Sequence, residues 1–427
     1  MKDAGVRRDE PVASTVGDRG AEDVQGSGLQ REVSLPMLVL YGLGTTIGAG
    51  IYALTGEVAG EAGVRAPLSF LVSALLAGVT AIGFAELAGR LPKAAGEAVF
   101  VDHAFGRRFL TGAVGVAVLT AGVVAASAIS NAFGGYVAEL IDGPRWLLVI
   151  ALVVVLGGLA VSGVKESVVA AGVFTVIEII GLGLVVWVAR DSIGQLGSRA
   201  GDLLGPPTSL TGWSGVLGGA FLAFFAFLGF EDMDAVAEET ENAPVTLPRA
   251  ILITLSVTTV LYITVVAVAV LEVDPVALAE SDAPLTLVYD RAGGNPDVLA
   301  FIAALAMVNG ALVQLIMIPR VVYGLSRLDV MPSWAGAVSP RTHTPVRATI
   351  AGAVLVMILA VAVELEWLAR LTSAVTMAIF ITINVALVAI KRQDGPTTTF
   401  QVPEWVPVVG IVAASSMFVI EVARLVG

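Results

Sequence analysis

Apolar runs of about 20 residues recur along nearly the whole chain, and that is the length a helix needs to cross the hydrocarbon core of a bilayer. Of the 427 residues, 56% are hydrophobic and only 14% charged. That proportion is too poor in charge to cover the surface of a soluble protein of this size. The chain therefore reads as an all-α polytopic membrane protein. About 11 spans are expected, at roughly 34–56, 66–89, 109–138, 146–162, 168–189, 212–241, 249–272, 297–323, 346–364, 367–390 and 405–426. The third and sixth are long for one crossing, which points to turns within them.

Residues 1–33 are polar and mixed in charge, and lack the apolar centre of a signal peptide. They read as a disordered cytoplasmic tail. The orientation follows from Lys and Arg in the short loops. With the N-terminus inside, the cytoplasmic loops hold Arg90, Lys93, Arg107, Arg108, Lys165, Arg249, Arg327, Arg341, Arg347, Lys391 and Arg392. The outer loops hold Arg65, Arg145, Arg190, Arg199 and Arg291. The excess favours an N-terminus in the cytoplasm of a cell whose plasma membrane the chain spans, and an odd span count puts the C-terminus outside. The loop "EVDPVALAESDAPLTLVYDRAGGNPD" is either an ordinary solvated loop or a pair of short helices across the outer mouth.

Composition also excludes chemistry. The net charge of −12 gives no hint of a nucleic-acid partner, and the absence of cysteine removes disulfides, thiolate nucleophiles and Cys-based metal sites. The two histidines, His103 and His343, fall in expected loops. There is no HExxH, no GxSxG and no Walker A pattern, so neither a membrane enzyme nor an ATP-driven pump is indicated. No cofactor and no metal is called for. The expected partners are a small molecule and membrane lipid.

Two spans are interrupted. The first carries "GLGTTIGAGIYALTG", rich in glycine, which costs about 1 kcal/mol against alanine inside a helix. It is expected to break at Ile47, Gly48, Ala49 and Gly50. The sixth carries Gly229 near its middle with Glu231, Asp232 and Asp234 immediately after. Acids are costly within an unbroken spanning helix, but favoured at the N-terminus of a new one. A helix ending near Leu228 and another starting near Glu231 satisfies both conditions. The alternative for the glycines is tight helix packing, since Gly44 and Gly48 have the small-xxx-small spacing. Non-helical backbone at membrane depth persists only where it lines a cavity or is buried in protein. Paired interruptions in two halves of a chain point to a midplane binding site. Amides freed at Ala49 and Gly50 would face an anion. Carbonyls freed near Thr46, Phe225, Ala226 and Leu228 would accept from a cation. A site with an anionic and a cationic end fits an amino acid zwitterion or a related amine.

Charged residues within spans sharpen this. Glu178 lies mid-span and shares a helix face with Ala171, Thr175 and Gly181. Intramembrane acids are rare and expensive, so Glu178 is a candidate for proton coupling, against a purely structural, hydrogen-bonded role. Glu231 is a second candidate, against a simple helix N-terminal acid. Glu86 and Arg90 are spaced as a local ion pair, and Arg320 is expected to close span eight after Pro319. Ser130 and Asn131 with Ser127, and Asn309 with Gln314, could line a side-chain pocket, although helix–helix hydrogen bonding is the commoner use of such residues.

Several segments carry a family resemblance. "IGAGIYALTG" resembles the first helix of the amino acid–polyamine–organocation permeases, and "FFAFLGFEDMDAVAEETENAPVTLPRAI" is similar to their sixth. "FAELAGRLPKAAGEAVFVDHAFG", "NGALVQLIMIPRVVYGLSRLDVMP" and "FQVPEWVPVVG" resemble other family segments in the right order, so the likeness covers about residues 32–426. It implies a LeuT-type fold with two inverted five-helix repeats, 34–190 and 191–392, and an additional helix in 393–427. Spans 1, 2, 6 and 7 would form a bundle that rocks against spans 3, 4, 8 and 9. It also implies that the amides of Ala49 and Gly50 hold a substrate carboxylate. Thr46 and Phe225 would offer carbonyls to the amino group, the Phe225 ring would act as a gate, and Glu231 would be linked to pH response. Two departures stand out: many members have 12 spans, and Glu178 stands where several proton-coupled members carry a lysine. The expected activity is amino acid transport by alternating access with proton symport. An exchanger of amino acids or polyamines, or a sensor that binds without transport, are the alternatives.

Overall fold

The computed structural model describes residues 32–92, 96–162, 168–327, 330–394 and 400–426. The expected tail falls largely on 1–31, outside the described residues, as do Lys93 and Lys165. The end of that tail is not disordered: Val33 pairs in parallel with Thr240, its amide donating to the Glu239 carbonyl and its carbonyl accepting from Glu241.

In chain order the helices are α1 (Leu35–Ala62), α2 (Ala66–Arg90), α3 (Gly96–Phe105), α4 (Arg108–Ala138), α5 (Arg145–Val161), α6 (Val168–Val188), α7 (Arg190–Ile193), α8 (Leu196–Leu204) and α9 (Leu210–Ala226). A 3-10 segment, Phe230–Glu239, comes next. Then come α10 (Ala243–Glu272), α11 (Pro275–Ala279), α12 (Pro284–Arg291), α13 (Pro296–Arg327), α14 (Val346–Ala362), α15 (Leu365–Asp394) and α16 (Trp405–Val426). Among the described residues seven stretches are long and apolar enough to cross a membrane, the first containing both α1 and α2, and α5, α6 and α14 are shorter apolar helices. With α1 and α2 taken separately and α9 joined to the 3-10 segment, these account for the expected 11 spans.

Local chemistry sets the boundaries. Proline stands in the first turn of α1, α2, α10, α11 and α12, where its missing N–H costs nothing. Ser209 Oγ accepts from the Gly212 amide to cap α9. Three expectations are corrected. α4 is one uninterrupted helix of 31 residues, with no turn within it. α13 runs seven residues past Arg320 to Arg327, because its interior Pro319 is tolerated within the bundle. His103 lies on α3, a short helix in what reads as a loop. The acidic loop between α10 and α13 does carry two short helices, α11 and α12, and the Leu285 amide of α12 donates to Tyr136 Oη of α4 at 3.4 Å.

The helices pack in two groups. α1, α2, α9 and α10 contact one another, and α4, α5, α13 and α14 form a second set, with α6 and α15 touching both. Apolar surface gains little by leaving lipid tails, so association rests on close packing and interhelical hydrogen bonds. Where α1 crosses α9, a Cβ on Gly50 would lie 2.5 Å from Ala226 Cα. Edge-on aromatic contacts join Phe84 to Phe100 and to Phe230, with centroids 5.5 and 6.0 Å apart. Each such pair contributes about 0.5–1.5 kcal/mol beyond its buried area.

Two buried charge clusters tie the ends. The Glu86–Arg90 pair forms at 2.7 Å, and the same carboxylate also meets Lys391 of α15 at 2.8 Å and the Val402 amide at 2.8 Å. At the opposite end Arg370 of α15 binds Glu61 of α1, Glu366 and Glu421 of α16, and Arg424 binds Glu61 and Glu421. Glu86 is completely buried. Glu86→Gln should therefore leave two cations uncompensated and cost about 3–5 kcal/mol. The check is the thermal unfolding midpoint of the purified protein in detergent; an unchanged midpoint would mean that the cluster contributes nothing.

Candidate functional site

The first span bends at Gly48, where φ is −27° and ψ −141°. A helical residue has ψ near −42°, so the peptide linking Gly48 to Ala49 is turned out of line with the axis. Open space lies beside Gly48, with no atom within 4 Å of a built Cβ. It is therefore not the packing glycine that its spacing also allowed. The sixth span breaks at Gly229, whose φ is +114° and ψ −17°. Only glycine takes that backbone without strain, and a Cβ there would sit 2.3 Å from the Thr45 carbonyl oxygen. The helix ends at Ala226, two residues before the expected Leu228, and the second half of the span is a 3-10 winding, kinked at Val236, instead of a second α-helix.

The two breaks are latched together. Thr45 Oγ1 donates to the Gly229 carbonyl at 2.8 Å, and the Gly229 amide donates to Glu231 Oε2 at 2.9 Å. Tyr262 Oη of α10 reaches the carbonyls of Thr46 at 2.8 Å and Ala226 at 3.1 Å. The Leu228 amide donates to the Phe225 carbonyl at 3.2 Å. So the carbonyls of Thr46, Phe225 and Ala226 are each engaged already. Each keeps a second lone pair. The Thr46 hydroxyl, by contrast, is buried without a partner.

Both breaks face a cavity of about 120 Å³. It is lined by Thr46, Gly48, Ala49 and Gly50 from α1, and by Phe225, Leu228, Gly229 and Glu231 from the sixth span. α4 contributes Ala125 and Ile129, α13 Gly310 and Gln314, and α15 Thr372 and Thr376. Towards the end that carries α3 the cavity reaches Asp232 and Glu97. Burial holds the Glu97 carboxyl above its usual range. Ile47 is wholly buried and does not face the cavity, nor does Ala226.

Of the expected polar pocket, only Gln314 reaches the cavity. Ser130 is fully buried with its hydroxyl unpartnered. Asn131 belongs to a separate vestibule of about 440 Å³ at the opposite end. There its amide donates to the Ala360 carbonyl at 2.8 Å and its Oδ1 accepts from Arg145 at 2.8 Å. Arg145 also binds Asp282. Asn309 sits beside Glu178, away from the cavity lining. Glu178 is 1% exposed, and neither carboxyl oxygen has a partner in hydrogen-bonding geometry. Its backbone carbonyl accepts from Tyr52 Oη of α1 at 2.9 Å. Tyr52 and Tyr136 stand edge to face, and Tyr136 Oη donates to the Tyr52 carbonyl at 2.7 Å.

Reading the sequence missed Thr372, Thr376, Glu97 and the Tyr262 bridge. The threonines carry a signal, since Thr372 and Thr376 share a helix face at i and i+4. Gly229→Ala should cost about 1–3 kcal/mol from backbone strain alone, and more from the clash with Thr45. A thermal midpoint equal to that of the unaltered protein would contradict the left-handed break.

Comparison with known proteins fits this geometry. A family model described as amino acid permease matches residues 34–426. The chain is 29% identical over 434 residues to the branched-chain amino acid permease BcaP of Bacillus subtilis (strain 168), covering 96% of this chain and 90% of that one. It is 28% identical over 387 residues to the vacuolar cationic amino acid transporter 2 of Arabidopsis thaliana, covering 86% of this chain but only 60% of that relative's length. Among solved structures, MhsT in complex with L-phenylalanine aligns with a TM-score of 0.65 at 15% identity, over 92% of this chain and 99% of that chain. That degree of likeness speaks to the fold alone, which is of the LeuT type. On the family match, which spans nearly all of the described residues, the chain belongs to the amino acid permease family.

Proposed function

We propose that this permease moves an amino acid across the plasma membrane by alternating access, driven by proton symport, with its N-terminus in the cytoplasm. The observation that carries this reading is the pair of latched breaks at Gly48 and Gly229 around one cavity. The substrate carboxylate takes the amides of Ala49 and Gly50, and the amino group takes the Thr46 hydroxyl and the remaining lone pairs of the Thr46 and Phe225 carbonyls. Residues 34–190 and 191–392 act as the two repeats. Their bundle helices α1, α2, α9 and α10 rock against α4, α5, α13 and α14. With the N-terminus inside, a cavity extending towards Glu97 is one opening to the cytoplasm, and the Tyr52–Tyr136 layer is the closed outer side.

The lining favours a neutral, largely apolar side chain. Ile129, Phe225, Val313 and Met317 give the cavity an apolar lining beside its acids, Glu97, Glu231 and Asp232. Glu231 is occupied by the Gly229 amide, which weakens the case for it as the partner of a cationic substrate. The reported relatives include both a branched-chain permease and a cationic amino acid transporter, so the preference rests on the lining. A thermal-shift series with purified protein should show aliphatic amino acids raising the midpoint more than lysine or arginine, since a ligand of the folded state stabilises it. The opposite order would reverse the substrate assignment.

Glu178 is the proton carrier in this reading. It is buried beside Asn309 and packed against α1 through Tyr52, so its protonation state bears on a bundle helix. In proteoliposomes, Glu178→Gln should abolish uptake driven by a proton gradient while leaving substrate binding and counterflow intact. Gradient-driven uptake that survives the change removes Glu178 from the mechanism. Uptake that requires substrate on both sides identifies an exchanger, and binding without any uptake a sensor.

A further inference from the structure

A second cavity, of about 500 Å³, lies on the lipid-facing side of α4, α13, α14 and α15. Its lining is almost wholly apolar, with one cation, Arg347, and no carboxylate. Arg347 opens α14 at the end where α13 finishes, and it has no ion pair or hydrogen bond among the described residues. Trp334, 61% exposed, lines the same end. Exposed Trp beside a basic residue is the pattern of a membrane interface. From Arg347 the groove runs along α14 to Leu359 and ends against Leu371 of α15, with no charge at that far end. Twelve residues of helix span about 18 Å, close to the depth of one leaflet, half of an approximately 30 Å core.

We propose that this groove is a binding site for an anionic phospholipid from the leaflet on the Arg347 side. An acyl chain fills the apolar trough along α14, and the headgroup phosphate pairs with the Arg347 guanidinium. The charge arrangement selects this occupant. Arg347 is the one charged side chain in an otherwise apolar lining and has no carboxylate beside it there, so the mouth of the groove suits an anion. Basic pockets between helices at a membrane surface bind anionic headgroups on the same grounds. Leu355 and Leu371, 46% and 49% exposed, leave the trough open to the hydrocarbon from which a lipid enters. Leu119 and Ile318 line both this groove and the cavity between the helix breaks. An acyl chain here therefore rests against the outer side of the cavity wall. The proposal needs only the membrane embedding of the chain and not the transport reading.

The test is native mass spectrometry of the full-length protein released from detergent, titrated with phosphatidylglycerol and with phosphatidylcholine of the same acyl chains. The unaltered protein should retain one phosphatidylglycerol with about fivefold preference, as expected from about 1 kcal/mol for one arginine at an anionic surface. Arg347→Gln should remove the preference while retaining both lipids weakly. Ala351→Trp, which fills the groove from an exposed position on α14, should reduce retention of both; Leu355→Trp serves if Ala351→Trp does not fold. Equal retention of the two lipids by the unaltered protein overturns the proposal. So does a preference that survives Arg347→Gln, or full retention by the groove-filling variants.

Discussion

In hydrocarbon there is no water to satisfy a peptide group, so each break in a spanning helix must find partners inside the protein. The arrangement around Gly48 and Gly229 is a response to that obligation. Thr45 gives its hydroxyl to the Gly229 carbonyl, Glu231 takes the Gly229 amide, and Tyr262 serves the carbonyls of Thr46 and Ala226. Each partner comes from the broken helices themselves or from α10, which packs against α1 and the 3-10 segment. The groups left over face the cavity. In the reading proposed above, what is left for a substrate is the remainder of a hydrogen-bond account that the fold has nearly closed.

Much of this was legible before any coordinates, for physical reasons. Spanning helices announce themselves by length and apolarity, and the α2, α5 and α16 boundaries lie within a residue or so of those expected. The sixth span was legible as broken because Glu231, Asp232 and Asp234 come directly after Gly229. Two kinds of feature stayed hidden in the sequence. It could not tell that the second half of that span winds as a 3-10 helix, since both windings suit the same residues. It also could not show which polar side chains look into the cavity. Asn131, Ser130 and Asn309 are as polar as Gln314, yet only Gln314 faces inward there, because helix rotation is set by tertiary packing. Tyr262 was hidden for the same reason: its partners are 216 and 36 residues away in sequence.

Charge marks the ends of the molecule and apolar contact its middle. Glu86 gathers Arg90, Lys391 and the Val402 amide at one end. Glu61, Arg370, Glu421 and Arg424 interlock at the other. Both clusters join α15 to α1 or α2, and the second recruits α16, which packs on α2, α9 and α15. A buried pair is weak as a source of stability but strong as a register, since removing one partner strands the other. The final helix is therefore bound into the same network as the first.

The residues from Phe230 to Glu239 follow a 3-10 winding that is itself kinked at Val236, where φ is −108° and ψ 15°, as suits a winding rarely sustained beyond three or four residues. Its far end is stitched to Val33 through Thr240, just ahead of α1, so any shift of this segment would draw the start of the first broken helix along with the second.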